Sequence, residues 1–296
     1  MSEAIRAYLE SLRRELAGSD PATIQDALAD AEDHLRADME RARASGTNRT
    51  DEELLAEATE RFGTPVEVAA AYREIEKRVA PGITGVTETP GAGLFDQVFG
   101  VVRDPRAYAA LLYMVLSLPL GTAYFTWTVT GLSLSLSLMV LIIGLPFFGL
   151  FLLSIQGLGV VEGRVVEGLL GVRMPKRTVF SKRHLGWWGQ LKAWIVDGRT
   201  WTTVVYFLLM MVLGTLYFSI FITLIAISLG LVATPFVEMI VRFGGLDAQT
   251  VGTWLPGWLL WIAIPAGLFD LIVTLHLARL IGRWHGRMAK TMLVRG

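Results

Sequence analysis

Residues 108–158 read YAALLYMVLSLPLGTAYFTWTVTGLSLSLSLMVLIIGLPFFGLFLLSIQGL and contain no Asp, Glu, Lys or Arg. A helix needs roughly 20 predominantly apolar residues to cross a hydrocarbon core about 30 Å thick. A charge-free run of this length therefore predicts two crossings, joined near Thr130-Gly131. The whole chain agrees: of its 296 residues, 53% are hydrophobic and 18% charged, and the mean hydropathy is +0.49. That is too apolar for an ordinary soluble domain and reads as a polytopic membrane protein. With Cys 0 there is no disulfide framework, thiolate metal site or cysteine nucleophile.

Downstream, residues 162–199 carry eight Lys/Arg against three acids, so the positive-inside rule places them in the cytoplasm. Within that loop Trp187, Leu191, Trp194 and Ile195 share a helical face with Trp188 at its edge, the pattern of an interfacial, lipid-binding helix. Arg279, Arg283, Arg287, Lys290 and Arg295 carry no balancing acid. They put the carboxyl terminus in the cytoplasm too and make the number of crossings even. The expected spans are 107–130, 132–158, 201–224 and 254–281. Residues 225–253, with Pro235, Glu238, Arg242 and Asp247, are expected to form an outer, partly embedded excursion.

Sliding the chain by 93 residues aligns Asp104, Arg106, Tyr113, Gly121, Thr122, Tyr124 and Phe125 with Asp197, Arg199, Tyr206, Gly214, Thr215, Tyr217 and Phe218. Over residues 104–138, 13 of 35 positions are identical, more than shared apolar bias gives. Both copies open with a basic collar, which suggests a parallel repeat and weakens a transporter reading. The repeat argues for a second hairpin after residue 225, against the excursion expected from the length of the apolar run.

Upstream of the spans the composition changes. Residues 1–80 hold 11 Lys/Arg and 18 Asp/Glu of the 27 of each sign in the chain, so this part is near −7 and the remainder near +7. Ile5, Tyr8, Leu9, Leu12 and Leu16 form a helical stripe, and Ile24, Leu28, Ala31 and Leu35 form another after Pro21. Thr50 with Glu53 is a capping box for a third helix, and Pro65 restarts a fourth. No signal peptide opens the chain. The expected fold class is all-α: a cytoplasmic acidic helical bundle (1–79), a flexible Pro/Gly/Thr linker (80–93) and a transmembrane domain (94–296) with an internal parallel repeat. The segment 94–106 is expected to lie at the membrane interface.

Two resemblances follow from particular residues. Tyr8-Leu9, Asp30 to Leu35, Gly46, Glu57-Ala58 and Arg61-Phe62-Gly63-Thr-Pro65 resemble HAAS, a bacterial helical module related to prefix domains found ahead of some permeases. The stretch Tyr113 to Phe125, Ile143 to Pro146, Asp197 to Trp201, Leu213-Gly214, Pro235 and His285 to Leu293 resembles the sensor domain that precedes kinase modules in some bacterial histidine kinases. The chain stops three residues after Leu293, so the resemblance implies a stand-alone sensor or anti-activator whose output needs another protein.

Asp270 lies mid-span, where a charge costs at least about 2.5 kcal/mol. It reads either as a sensing or coupling group or as a carboxyl hydrogen-bonded to a neighbouring helix. His276 reads as a polar contact more readily than as a relay. His34 sits on a solvated acidic face. Tyr113, Tyr124, Tyr206, Tyr217, Trp127 and Trp201 either line a pocket between repeats or pack as belt residues, with Tyr124 and Tyr217 as the candidates for sensing. The basic tail Arg279, Arg283, Arg287, Lys290 binds anionic lipid, docks the acidic front module, or serves topology alone. No P-loop, nucleophile elbow or zinc-protease motif is present, and the expectation is no enzyme, no cofactor, no metal and no nucleic acid. The leading function is an inner-membrane, multi-pass sensor or adaptor with both termini cytoplasmic, acting on a separate regulator or histidine kinase. A homo-oligomer is compatible with it, and a permease or accessory subunit of a transport system is the alternative.

Overall fold

The computed structural model describes residues 3–44, 50–84, 98–141, 143–175, 189, 195–244 and 257–294. Trp187, Trp188 and Trp194 lie outside the described residues. The acidic front folds as four helices, α1 (Glu3–Glu15), α2 (Pro21–Ala44), α3 (Asp51–Phe62) and α4 (Pro65–Thr84). The predicted stripes become its core: Ile5, Tyr8, Leu12 and Leu16 pack on Ala27, Ala31, Leu35, Leu54, Ala58 and Val68. Local chemistry sets the helix ends. The Thr50 hydroxyl accepts from the Glu53 N–H while the Glu53 carboxylate takes the Thr50 N–H, the predicted capping box. Thr64 and Glu67 repeat the arrangement ahead of α4. The Tyr8 hydroxyl donates to the Gly63 carbonyl (2.7 Å), tying α1 to the end of α3.

Four further helices, α5 (Pro105–Leu138), α6 (Gly144–Leu170), α7 (Gly198–Gly244) and α8 (Gly257–Leu293), are each long and apolar enough to cross a membrane. This is an all-α membrane protein with the expected four span-length helices and helical amino-terminal region. The boundaries move from those expected. Helix α5 does not turn at Thr130-Gly131 but continues to Leu138. Gly131 serves packing, because a Cβ there would stand 2.3 Å from the Phe151 ring of α6. Helix α6 passes Leu158 and Glu162 and ends at Gly171, whose φ of 68° supplies the left-handed cap. Residues 225–244 are helical and extend α7 to 47 residues, about 70 Å. Residues 245–253, including Asp247, fall outside the described residues.

The repeat is visible as two hairpins. In the first, Trp127 donates to Ser154 (2.9 Å) and Gly131 meets Phe151, so α5 and α6 are antiparallel. In the second, Thr202 bonds to the Met292 carbonyl and Ser228 to Asp270, so α7 and α8 are antiparallel. Matching details recur. Asp104 and Asp197 each cap their helix by accepting from the N–H two residues on, at 3.1 Å. Tyr108 donates to Val102, and Trp201 to Ile195, at 2.9 Å.

Helices α5 and α7 make the central seam. A Cβ on Gly121 would lie 2.3 Å from the Met210 carbonyl, and one on Gly214 would lie 2.2 Å from the Ser117 carbonyl. These are the same contact seen from either repeat, with backbones approaching as only glycine permits. Along the seam Tyr124 stacks on Phe207 at 4.6 Å, which brings residues five positions above the crossing in α5 level with residues five below it in α7. The two helices therefore run in opposite directions. Helix α8 agrees: Arg279 pairs with Asp104, Gly282 faces Ala110 and His285 meets Tyr113, an ascending order in both chains. The basic collars suggested a parallel repeat. The packing instead relates the hairpins by a pseudo-two-fold axis across the helices. Beyond Gly171 the chain turns back along the body, with Val172 against Gly286 and buried Met174 against Gly163.

The seam gives a direct test. Gly214→Leu must displace backbone and is expected to lower the unfolding temperature by several degrees, at a cost of about 1–3 kcal/mol. Gly157→Leu, where nothing lies within 4 Å of the added Cβ, is expected to change it little; thermal unfolding of the detergent-purified variants compares them.

Candidate functional site

Four tyrosines converge where the two hairpins cross. Tyr113 and Tyr124 come from α5, their repeat mates Tyr206 and Tyr217 from α7, and all are buried. Between them lie two fully buried ionisable side chains, Glu162 of α6 and His285 of α8. Glu162 Oε1 accepts from the hydroxyls of Tyr113 (2.7 Å) and Tyr206 (2.8 Å), and Oε2 accepts from Tyr124 (2.9 Å). His285 Nε2 lies 2.7 Å from the Tyr113 oxygen and 3.2 Å from that of Tyr206, while Nδ1 lies 3.4 Å from Tyr217. The imidazole also packs edge-on against the Tyr217 ring at 5.6 Å.

The arrangement obeys the pseudo-two-fold axis. Each ionisable group takes both tyrosines of its own hairpin and the inner tyrosine of the other. Glu162 and His285 are themselves the mates, within Glu162-Gly163-Arg164 and His285-Gly286-Arg287. They are 123 residues apart, whereas the tyrosine mates are 93 apart, because the second hairpin is 30 residues longer. The shared scaffold thus places an acid on one side and a base on the other.

Buried carboxylates need donors, and this one has three. Among the described residues no group of three or more His, Cys, Asp or Glu side chains is placed to hold a metal. What the cluster offers is hydrogen bonds that can reverse: tyrosine hydroxyls donate or accept, and imidazole changes tautomer.

The other candidates lie elsewhere. Asp270 accepts from Ser228 (2.8 Å) on α7, and His276 Nε2 lies 3.1 Å from the Val98 carbonyl. Neither joins the cluster. Trp127 and Trp201 are exposed and bonded to Ser154 and Ile195. Of the basic residues, Arg279 is held by Asp104 and Lys290 by Asp20 of the front module, whereas Arg283 and Arg287 are exposed. His34 is exposed beside Phe62. The sequence alone places Glu162 in a polar loop and gives His285 only as part of the ending that resembles the sensor family. The signal that finds both is the E-G-R/H-G-R match, visible once the repeat offset is allowed to grow between the first and second helices of each hairpin.

The family described as "Putative sensor" matches residues 113–293, a span that opens at the first tyrosine of the cluster and takes in all six of its residues. HAAS matches residues 7–71. Both are signalling families rather than families of enzymes. Comparison with curated proteins and with solved structures finds no match.

Glu162→Ala orphans three buried hydroxyls at about 1–3 kcal/mol each. It is expected to reduce the folded yield and thermal midpoint far more than Asp270→Ala, which removes one Ser228 bond. Equal losses in fluorescence-detected gel filtration would remove the cluster from its central place.

Proposed function

This chain belongs to the sensor family over residues 113–293, and from that premise we propose that it is a stand-alone membrane sensor or signalling adaptor whose spans perceive a membrane-borne or outer-face cue. The HAAS-like module passes the response to a separate cytoplasmic regulator or kinase. The observation that carries this reading is the Glu162–tyrosine–His285 cluster, a reversible polar centre shared by all four spans. Intramembrane ionisable groups of this kind mark working sites.

The route to the module follows one helix. Lys290 lies five residues beyond His285 on α8 and pairs with Asp20, which also caps α2 through the Ala22 N–H and takes the Glu76 carboxylate on its own N–H. This pair supports a docked state in which the module lies beside the end of α8. Exposed Arg283 and Arg287, with Trp284 between them, suit anionic headgroups.

A transport role has one observation in its favour. Inverted repeats related by a two-fold axis, with polar sites on the axis, recur in secondary transporters, and the pseudo-two-fold relation of the two hairpins resembles them. The family match favours signalling.

Capture from native membranes separates the two. The full chain is expected to retain a transcription regulator or kinase that a version lacking residues 1–80 loses; a transport ATPase retained by both would overturn the signalling reading. The chain contains no cysteine, so Asp20→Cys with Lys290→Cys reports docking without background. Efficient cross-linking of the two thiols by a short bismaleimide is expected in membranes, since the lysine side chain holds the backbones beyond disulfide reach, and its absence would remove the proposed route.

A further inference from the structure

The hydrogens of the cluster can be counted. A tyrosine hydroxyl has one proton to give, a carboxylate has none, and a neutral imidazole has one N–H. Tyr113, Tyr124 and Tyr206 all spend their protons on Glu162. Tyr113 and Tyr206 then have only lone pairs for His285, so Nε2 carries hydrogen at 2.7 and 3.2 Å from them. Nδ1 of the neutral ring is left to accept from Tyr217 at 3.4 Å, the longest bond of the set. Every group is satisfied, and the cluster carries one negative charge.

Among the described residues no cation forms an ion pair with that charge; Arg164 on the same helix is taken by Glu167. Arg173, in the segment returning along α6 and α8, keeps a buried guanidinium nitrogen with no hydrogen-bond partner, and Arg287 is exposed. The titratable groups facing the centre are Tyr113 and Tyr124 from α5, Glu162 from α6, Tyr206 and Tyr217 from α7, and His285 from α8. A buried, unpaired negative charge draws a proton.

We infer that these six residues form a binding site for a single proton, which is taken up at His285 Nδ1 and turns Tyr217 from hydrogen-bond donor to acceptor. The proton comes from solvent, and no other covalent bond changes. In the loaded state Nδ1–H donates to the Tyr217 oxygen, and imidazolium faces carboxylate through Tyr113 and Tyr206. Passing Nε2–H to Tyr113, as Tyr113 passes its own proton to Glu162 Oε1, moves the charge and still leaves Nδ1 protonated. Protonating Glu162 at Oε2 instead would reverse the 2.9 Å bond from Tyr124 in the same way, a stronger contact to give up than the one at Tyr217. The 3.4 Å contact at Tyr217 is the weaker point and yields first.

This inference deepens the reading of the cluster as the sensing element, and its test separates the two. The full chain, labelled with 15N-histidine and 13Cζ-tyrosine, is followed by NMR in lipid nanodiscs from about pH 3 to 9, a range that extends well to either side of ordinary imidazole titration. His285→Gln and Tyr217→Phe identify the two signals. The expected result is a one-proton transition in which Nδ1 changes from acceptor to N–H and the Tyr217 signal moves with the same midpoint. Glu162→Gln, which removes the charge, should weaken proton uptake at least tenfold or abolish it.

A His285 ring unchanged across the range would overturn the inference, as would movement of Tyr124 in place of Tyr217. If Glu162→Gln fails to fold, the wild-type titration decides alone. Titration without any regulator or kinase captured would leave the proton site and remove the sensor; capture without titration would do the reverse.

Discussion

A carboxylate can be held away from water only where donors surround it, and the burial of Glu162 imposes that demand on the whole membrane domain. Its three donors come from α5 and α7, so the first hairpin is incomplete without the second. His285 adds α8 through the same two inner tyrosines. Four helices are thereby fixed at one point by directional bonds. In a lipid setting, dispersion between apolar surfaces favours no single register, so polar bonds and close small-residue packing supply the specificity.

The glycines at the seam make the convergence possible. With Gly121 against Met210 and Gly214 against Ser117, the α5 and α7 backbones come close enough for inner tyrosines of both to reach one carboxylate oxygen. The seam and the cluster are one design at two radii: backbone contact sets the distance, and side-chain bonds set the register. The pseudo-two-fold axis also explains why acid and base occupy matched places. A symmetric pocket holding two carboxylates would carry two uncompensated charges, and one holding two imidazoles would leave the inner hydroxyls without a strong acceptor. One of each satisfies all four tyrosines.

Much of this was legible in residues alone. The charge-free stretch from Tyr108, the stripe Ile5 to Leu16, the capping box at Thr50 and the 93-residue repeat follow from local periodicity, and the structure shows each as helix or helix pair. What escaped depends on tertiary contacts. Glu162 resembles the start of a polar loop because the three hydroxyls that make it tolerable lie 38 to 49 residues away. Asp270 looked more isolated than Glu162 because its neighbours in sequence are apolar, yet its need is met by a single serine. The relative direction of the hairpins was misread because two similar collars suggest one side of a membrane, whereas Tyr124 against Phe207 is a contact no collar can reveal. The tyrosines were half legible: the repeat singled out all four, and only packing separated them from Trp127 and Trp201.

The link from the cluster to the front module has the strength a switch requires. Asp20 and Lys290 form a partly exposed pair, and such pairs contribute about 0–1 kcal/mol. A contact that weak does not hold the module by itself, so a partner of ordinary affinity can displace it. It can still bias the outcome, because Asp20 bonds at once to α8, to the first turn of α2 and to Glu76 of α4. Helix shifts of about 1–2 Å are the usual currency of such transitions, and α8 joins both ends of the path in one rigid element: His285 is buried among tyrosines, and Lys290 lies five residues on. On the proposed reading, a change in how His285 is bonded would reach Asp20 along one helix, without crossing a loop.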